Sequence, residues 1–253
     1  MSARRERILA ELGVRPRWRL RGREVPEPRP AVDPAPASLP PVVRAGDVAE
    51  LELDDRAARV ARMDWPALKT AVATCEACGL CKTRTSTVFG VGDERAEWMI
   101  VGEAPGAEED ARGEPFVGQA GRLLDSMLAA VAMRRGENVY IANVLKCRPP
   151  GNRNPEPFEV AQCSPHLVRQ IELIRPQLIL ALGRAAAQLL LNTDASIASL
   201  RGKLFRYQGV TTIVTYHPAY LLRNLPDKSK AWEDLCFARA TMKDLKAAAA
   251  PQS

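Results

Sequence analysis

The sequence predicts an α/β fold in which a parallel β-sheet is covered by helices on both faces. Short apolar segments alternate with helical segments from residue 97 to residue 248, and this alternation is typical of parallel sheets. Of the 253 residues, 46% are hydrophobic, which is enough to bury a substantial core. Ligands bind such sheets at the carboxyl ends of the strands, so polar residues that directly follow strands are candidates for a site.

The elements are predicted from apolar spacing in order along the chain. A helix at 64–73 comes before the first cysteines, and from there each strand leads to a helix. The segment 203–207 pairs with the last strand as a hairpin about Gln208 and Gly209. The predicted strands are 97–101, 138–144, 177–182 and 210–216, and the predicted helices are 118–133, 157–174, 184–191 and 230–248.

The first 45 residues differ in composition from the rest of the chain. Residues 1–25 form a basic segment, and seven prolines then fall between Pro26 and Pro41. Such proline density disfavours helix and strand and predicts an extended linker over residues 26–45. The folded domain is therefore expected at residues 46–250. The basic segment is either a solvated tail or an arginine-rich arm that adds affinity for DNA or a partner.

The formal net charge of +6 fits an acidic partner such as nucleic acid, although it does not by itself identify one. The first 20 residues are rich in arginine and lack the apolar core of a signal peptide. No stretch of the sequence approaches the length of a transmembrane span. We therefore expect a cytoplasmic protein without a membrane association.

Six cysteines are the most unusual feature of the composition. Cys75 and Cys78 are separated by two residues, and Cys147 and Cys163 by fifteen. Thiolates in such pairs suit an iron–sulfur or zinc site, and in a cytosolic protein metal ligation is favoured over a disulfide. Because 68 residues separate the pairs, the metal is expected to be part of the fold. Spacing alone leaves Cys81 open as a third ligand from the first run.

Three polar residues each follow a predicted strand, so one pocket is expected to collect Glu103, Asn143 and His217. Glu103 lies in a sharp Gly-Glu-Ala-Pro-Gly turn, and Glu109 belongs to an acidic run just after it. A carboxylate there can orient water or stabilise a cationic intermediate. The Asn143 amide offers the donor and acceptor needed to read a pyrimidine edge. Phe116 is either a core residue or a stacking surface for a nucleobase lifted from DNA.

The segment after His217 contains Leu221, Leu222 and Arg223. An exposed Leu-Leu-Arg segment is hard to explain by core packing, and we expect it to fill the gap that an extruded nucleotide leaves in DNA. The other histidine, His166, is expected to be structural.

Taken together and in this order, the motifs resemble those of the thermostable, iron–sulfur class of uracil-DNA glycosylases, family four. The resemblance runs from about residue 75 to residue 245. The motifs are the cysteine pairs, Gly-Glu-Ala-Pro-Gly, Pro-Phe-Val-Gly, Ala-Asn-Val-Leu-Lys-Cys-Arg-Pro-Pro and His-Pro-Ala-Tyr-Leu-Leu-Arg. The resemblance implies a three-layer α/β/α sandwich with a central four-stranded parallel sheet. It also implies a monomer that flips uracil out of single- or double-stranded DNA and hydrolyses its N-glycosidic bond, at the start of base excision repair.

The same resemblance implies roles for the candidate residues. Phe116 stacks on uracil, Asn143 pairs with the N3–O4 edge, and His217 donates a hydrogen bond to O2. Backbone N–H groups from Gly102 to Ala104 assist, and Leu221, Leu222 and Arg223 intercalate into DNA. A structural [4Fe-4S] cluster is implied on Cys75, Cys78, Cys147 and Cys163, with Cys81 and Cys236 as free thiols.

The residue that activates water has two candidates. Many members of the broader superfamily have a water-activating Asp or Asn where this chain has Ala104, so Glu103 and Glu109 are both candidates for that role. Helix starts near residues 118–121 and 183–185 are expected to contact phosphates.

Three alternatives to a glycosylase predict different properties. A covalent uracil-binding relative would carry a histidine in a basic loop after the second strand, and residues 146–159 contain none. A non-enzymatic DNA-binding or electron-transfer iron–sulfur protein would not act on uracil in DNA. A zinc-stabilised structural protein would be colourless.

Overall fold

The computed structural model describes residues 55–249, so the basic segment and the proline-rich linker predicted at 1–25 and 26–45 lie outside the described residues. A six-stranded sheet forms the centre and runs in the order β1-β3-β2-β4-β6-β5. The strands are β1 (Val91–Gly92), β2 (Trp98–Gly102), β3 (Val139–Asn143), β4 (Leu178–Leu182), β5 (Phe205–Tyr207) and β6 (Val210–Thr215).

The inner four strands, β3-β2-β4-β6, are all parallel, as predicted. The edge strands β1 and β5 are antiparallel to their neighbours, and β5 forms the predicted hairpin with β6. The short strand β1 was not predicted, because two residues that include Gly92 carry no alternating apolar pattern.

Eight α-helices follow in chain order within the described residues, besides helical residues at 55–60 and three short 3₁₀ turns. They are α1 (Trp65–Ala73), α2 (Ala107–Arg112), α3 (Gln119–Ala130), α4 (Pro157–Ile174), α5 (Arg184–Leu191), α6 (Ile197–Leu200), α7 (Pro218–Arg223) and α8 (Lys228–Ala249). The bounds of α4 and α5 match the prediction. The short helices α2, α6 and α7 were not predicted, because six residues or fewer are too short for a helical apolar period.

Alternating side chains of the sheet pack into two separate cores, which gives the predicted three layers. Met99 and Val101 of β2 point into the core beneath α4 and α5, where Leu167 is fully buried. Trp98 and Ile100 point to the opposite core, which α3 and α8 cover. Within residues 55–249, no helix has both the length and the apolar character needed to cross a bilayer.

A buried polar network ties α8 to the carboxyl end of β6. Thr215 donates its hydroxyl hydrogen to Asp234 Oδ2 at 2.7 Å, and Arg201 Nε donates to the same oxygen at 3.1 Å. Asp234 is 1% exposed, so its charge depends on these partners. The network holds Thr215, the last residue of β6, and so fixes the point at which the chain leaves the sheet.

We predict that Asp234→Ala destabilises the fold by about 3 kcal/mol, because it leaves Arg201 and Thr215 without their buried acceptor. The midpoint of thermal unfolding should fall by roughly 6–12 °C. Glu233→Ala is the matched control, because the exposed Glu233 carboxylate pairs with the same arginine at 2.9 Å. The control should cost less than about 1 kcal/mol. Equal losses in both variants would contradict a structural role for the buried network.

Candidate active site

A cleft of about 680 Å³ opens at the carboxyl ends of the parallel strands. Its lining includes Glu103 after β2, Asn143 at the end of β3 and His217 after β6. The prediction that one pocket collects these three residues is confirmed. Parallel strands produce this arrangement because all of their carboxyl ends meet at the same edge of the sheet.

Close packing at Gly102 brings an aromatic ring and an amide together in the floor of the cleft. A Cβ at Gly102 would lie 2.4 Å from Asn143 Oδ1 and 2.5 Å from Phe116 Cζ. No side chain fits at those distances, so glycine is required here. The Phe116 ring is buried and lines the cleft. A flat apolar wall therefore stands beside the Asn143 amide.

The Asn143 side chain is 2% exposed, yet its Oδ1 atom accepts no hydrogen bond within the described part of the chain. Buried polar atoms almost always have a partner, and an unpaired acceptor is costly. Because Asn143 lines the cleft, a ligand bound there is placed to supply the missing donor.

His217 is held in one tautomer by the start of helix α7. Its Nδ1 accepts a hydrogen bond from the backbone N–H of Ala219 at 3.2 Å, so in the neutral ring the proton is on Nε2. Burial, aided by the positive charge of Arg223 and opposed by Glu109, lowers the pKa of His217 to about 4. The imidazole lies 5.5 Å from the Phe116 ring, at 31° to its plane. The cleft thus contains a neutral ring with one N–H free to donate.

The two candidate carboxylates differ in what already binds them. Glu109 accepts three backbone N–H bonds at 3.0 Å, from Gly106, Val117 and Gly118. Glu103 is half-buried; burial alone raises its pKa, and no hydrogen bond from the described residues opposes that rise. The Glu109 carboxylate therefore braces two loops, and the Glu103 carboxylate is open to the cleft.

This bracing limits the expected phosphate contacts at the start of α3. The backbone N–H groups of Val117 and Gly118, just before the helix, already donate to Glu109, which leaves the N–H groups of residues 119–121 for an anion. Ala120 lines the cleft, as do Gly183 and Arg184 at the start of α5.

The predicted intercalating segment forms the short helix α7, and its three residues separate. Leu221 is 1% exposed and packs in the core beneath α3 and α8, so the prediction that it intercalates is wrong. Leu222 is 38% exposed and Arg223 lines the cleft. Neighbouring residues of a helix point about 100° apart, which is why one leucine faces the core and the next faces outward.

The sequence placed Arg184 only within the helix start at 183–185. It directly follows the turn at the end of β4, so the strand-end rule that selected Asn143 applies to it as well. Other lining residues received no role from the sequence, because most of them lie in loops or short helices that carry no such signal. They include Pro149, Asn152, Arg153, Asn154, Ser196, Ile197, Ala198, Tyr216, Ala219 and Tyr220.

A second, smaller cavity brings together the four cysteines that the sequence singled out. Cys75, Cys78, Cys147 and Cys163 all line it, whereas Cys81 does not and Cys236 is exposed on α8. His166 also lines this cavity and is buried, and burial lowers its pKa to about 3. Within residues 55–249, no three His, Cys, Asp or Glu side chains are arranged to hold a single metal ion.

Nitrogen donors surround the sulfur atoms of this cavity. Arg84 Nη1 lies 3.2 Å from Cys147 Sγ, Arg56 Nη2 lies 3.4 Å from Cys75 Sγ, and the Lys146 backbone N lies 3.2 Å from Cys163 Sγ. Such donors stabilise thiolates. Burial, opposed by Lys146, raises the pKa of Cys163 to about 12.

Lys146 connects the two cavities. Its ammonium group is buried and donates to the backbone carbonyl oxygen of Asn143 at 2.9 Å and to Gln170 Oε1 at 2.6 Å. Burial lowers the pKa of Lys146 to about 8, while Cys163 and Cys147 oppose that change. Asn143 in the cleft and Cys147 in the cysteine cavity are only four positions apart, and Lys146 lies between them. This short segment joins the cysteine cavity to the floor of the cleft.

Comparison with known proteins identifies the family. The family model of the uracil DNA glycosylase superfamily matches residues 89–236. A type-4 uracil-DNA glycosylase of Archaeoglobus fulgidus is 51% identical over 159 residues, which are 60% of this chain and 79% of that protein. A type-4 uracil-DNA glycosylase of Saccharolobus solfataricus is 44% identical over 171 residues, which are 64% of this chain and 79% of that protein.

Coverage is similar for a type-4 uracil-DNA glycosylase of Sulfurisphaera tokodaii, which is 43% identical over 175 residues, 66% of this chain and 79% of that protein. The range matched by the family model, 89–236, contains every motif of the resemblance except the first cysteine pair, and the α/β fold agrees with this family. The chain therefore belongs to the uracil DNA glycosylase superfamily and, within it, to the type-4 uracil-DNA glycosylases.

Proposed function

We propose that the protein binds uracil flipped out of DNA in the cleft and hydrolyses its N-glycosidic bond, leaving an abasic site for base excision repair. The observation that carries this proposal is the unpaired, buried Asn143 Oδ1 in a cleft that is also lined by the Phe116 ring and the neutral His217 imidazole. The substrate of the type-4 relatives supplies groups that match all three.

Recognition of the base uses two surfaces. The Phe116 ring offers a face on which the uracil ring stacks. The Asn143 Oδ1 atom accepts the N3–H of uracil, and its amide nitrogen donates to O4. Cytosine has an acceptor at N3 and an amino group at the next position, so it would oppose both of these hydrogen bonds. The fixed amide thereby selects uracil over cytosine.

His217 acts on the leaving group. As the bond to the sugar breaks, negative charge grows on uracil O2, and the Nε2–H of His217 donates to that oxygen. Because Ala219 fixes the tautomer, the donor needs no reorganisation during the reaction. A single preorganised donor of this kind is worth roughly 2.7–4 kcal/mol of barrier.

We assign the water-orienting role to Glu103 rather than Glu109. The Glu109 oxygens already accept three backbone hydrogen bonds, whereas the Glu103 carboxylate borders the cleft with no such partners. A carboxylate there also opposes the positive charge that develops on the sugar. Backbone N–H groups near Gly102 and Ala104 remain a minor contribution.

Contacts with DNA are proposed on the rim of the cleft. Leu222 and Arg223 on α7 are placed to enter the gap left by the flipped nucleotide. Arg184 lines the cleft and supplies positive charge for phosphates. Arg153 also lines the cleft, but its guanidinium already pairs with Glu159. These contacts suit both single- and double-stranded DNA.

A structural [4Fe-4S] cluster is proposed at Cys75, Cys78, Cys147 and Cys163. The cluster takes one thiolate at each of four corners, so its ligands surround a cavity and do not meet at one point. The shared cavity and the nitrogen donors at three sulfur atoms support this fit. When bound, the cluster supplies a rigid cross-link, because glycosidic hydrolysis transfers no electrons. That cross-link holds both ends of the segment between Cys147 and α4.

The wider context is also a proposal. Residues 46–250 form the catalytic domain, the protein is a monomer, and it acts in the cytoplasm, where thiolates remain reduced for cluster binding. Residues 1–25 are a basic segment and residues 26–45 a proline-rich linker.

The decisive test of the function is incubation with a uracil-containing oligonucleotide, followed by alkali to cut abasic sites. We predict cleavage of the uracil strand and none of a matched thymine strand. His217→Ala should lower the rate by about 10²–10³, because one donor to the leaving group is lost. Asn143→Ala should lose a comparable amount of activity. An intact uracil strand after treatment with the cluster-bearing protein would refute the function. Full activity of either variant would refute its assigned role.

The pH dependence tests the choice of carboxylate. Glu103 must be ionised to orient water, so activity should fall as the pH drops through its pKa. Since burial raises that pKa, the acidic limb should lie above the range of an ordinary glutamate. His217, with a pKa of about 4, stays neutral across this range. Glu103→Gln should abolish the limb and lower the plateau, whereas Glu108→Gln, an exposed neighbour on α2, should change neither. An unaltered limb in Glu103→Gln would contradict the assignment.

Removal of single thiols tests the proposed ligands. Cys75→Ala and Cys163→Ala should lose the absorbance near about 400 nm expected of an iron–sulfur cluster, bind less iron and unfold at a lower temperature. Cys81→Ala and Cys236→Ala are the matched controls and should keep their colour and iron. The proposal fails if zinc rather than iron is found, or if Cys81→Ala loses iron as Cys75→Ala does.

A further inference from the structure

Side chains form hydrogen bonds with both polar groups of the peptide bond between Phe116 and Val117. Its carbonyl oxygen accepts a hydrogen bond from Arg135 Nη2 at 2.7 Å, and its N–H donates to Glu109 Oε1 at 3.0 Å. A second nitrogen of the same guanidinium, Nη1, donates to the carbonyl oxygen of Pro115 at 2.8 Å. Arg135 therefore binds two successive carbonyl groups of the loop that carries the aromatic wall.

The backbone of this loop needs such support. Phe116 has a φ of 55°, in the left-handed region that residues with bulky side chains rarely occupy. Conformations of this kind persist only where the surroundings enforce them. The loop also presses on α3, because a Cβ at Gly121 would lie 1.8 Å from the Phe116 carbonyl oxygen. Loss of the Arg135 hydrogen bonds to these carbonyl groups would let Phe116 relax to ordinary φ values and turn its ring away from the cleft.

Arg135 is itself held in place. Its Nε donates to Asp125 Oδ1 on α3 at 3.1 Å, and Glu114 Oε1 lies 3.8 Å from Nη1. The side chain is only 19% exposed. A planar guanidinium with several fixed N–H directions can bind two carbonyl groups and a carboxylate at once, which the single ammonium of lysine cannot reproduce.

We propose that Arg135 is a positioning residue for base recognition: it holds the Phe116 ring in the orientation that stacks on uracil. This inference rests on the proposed stacking role of Phe116. Arg135 is not among the residues that line the cleft, so it acts through Phe116 and not by contact with the base. The arginine at the preceding position does not share this role, because Arg134 is 77% exposed and forms an ion pair with the exposed Glu137.

The test is a double-mutant cycle on excision from a uracil oligonucleotide. It compares Phe116→Ala, Arg135→Met and the two combined, with Arg134→Met as the matched control that removes the same charge one residue away. Arg135→Met should lower kcat/KM by at least about tenfold and weaken inhibition by free uracil, while the control stays within about twofold of the parent. Since both changes remove one stacking surface, the double variant should be no worse than Phe116→Ala alone.

The other possible results of this cycle would overturn the inference. If Arg135→Met matches the parent while Phe116→Ala is impaired, the hydrogen bonds from Arg135 are unnecessary. If the two losses multiply, Arg135 acts elsewhere. If Phe116→Ala retains full activity, the stacking role fails and the inference fails with it, whereas absence of activity in the parent protein would indicate failure of the proposed function itself.

Arg135→Lys addresses the possibility that the methionine variant does not fold. It keeps the charge and loses the fork, so it should fall between the parent and Phe116→Ala in kcat/KM. Amide hydrogen exchange in this variant should accelerate at residues 116–118 and stay unchanged in the strands of the sheet. Parental kinetics together with parental exchange in Arg135→Lys would overturn the inference.

Discussion

The missing side chain at Gly102 is the constraint on which the cleft depends. Phe116 and Asn143 occupy the space that any Cβ at this position would fill, at 2.5 and 2.4 Å. Their side chains come from separate parts of the chain and meet only because the end of β2 has no side chain between them. Two of the three groups proposed to recognise the base thus pack against the end of a central strand of the sheet, and such regular elements hold a site more precisely than loops do.

A second set of contacts links the cysteine cavity to the cleft through hydrogen bonds. The Lys146 ammonium group donates to the backbone carbonyl oxygen of Asn143, and the backbone N–H of Lys146 donates to Cys163 Sγ. On the other wall, Arg153 donates to both carboxylate oxygens of Glu159 at the start of α4, at 2.6 and 2.9 Å. The loop between Cys147 and α4 is therefore held by hydrogen bonds near both of its ends.

The sequence was sufficient for the parts of this arrangement that follow from strand ends and residue type. Asn143 and His217 were found because a parallel sheet gathers the residues after its strands, and the four cysteines because their spacing is unusual. Leu221 was misplaced because α7 is too short to show a helical pattern. The bracing by Glu109 and the hydrogen bonds from Arg135 to carbonyl groups could not be foreseen, since these partners are backbone groups, which look alike at every position of a sequence.

The tautomer of His217 has a consequence for the end of the reaction. With a pKa of about 4, His217 is neutral near pH 7, and loss of Nε2–H from a neutral imidazole would leave a strongly basic imidazolate. In the proposed role it therefore donates a hydrogen bond to the departing base and keeps its proton. In the proposed reaction the base leaves the sugar as an anion and takes its proton from solvent afterwards. His217 then ends the reaction with the same charge with which it began.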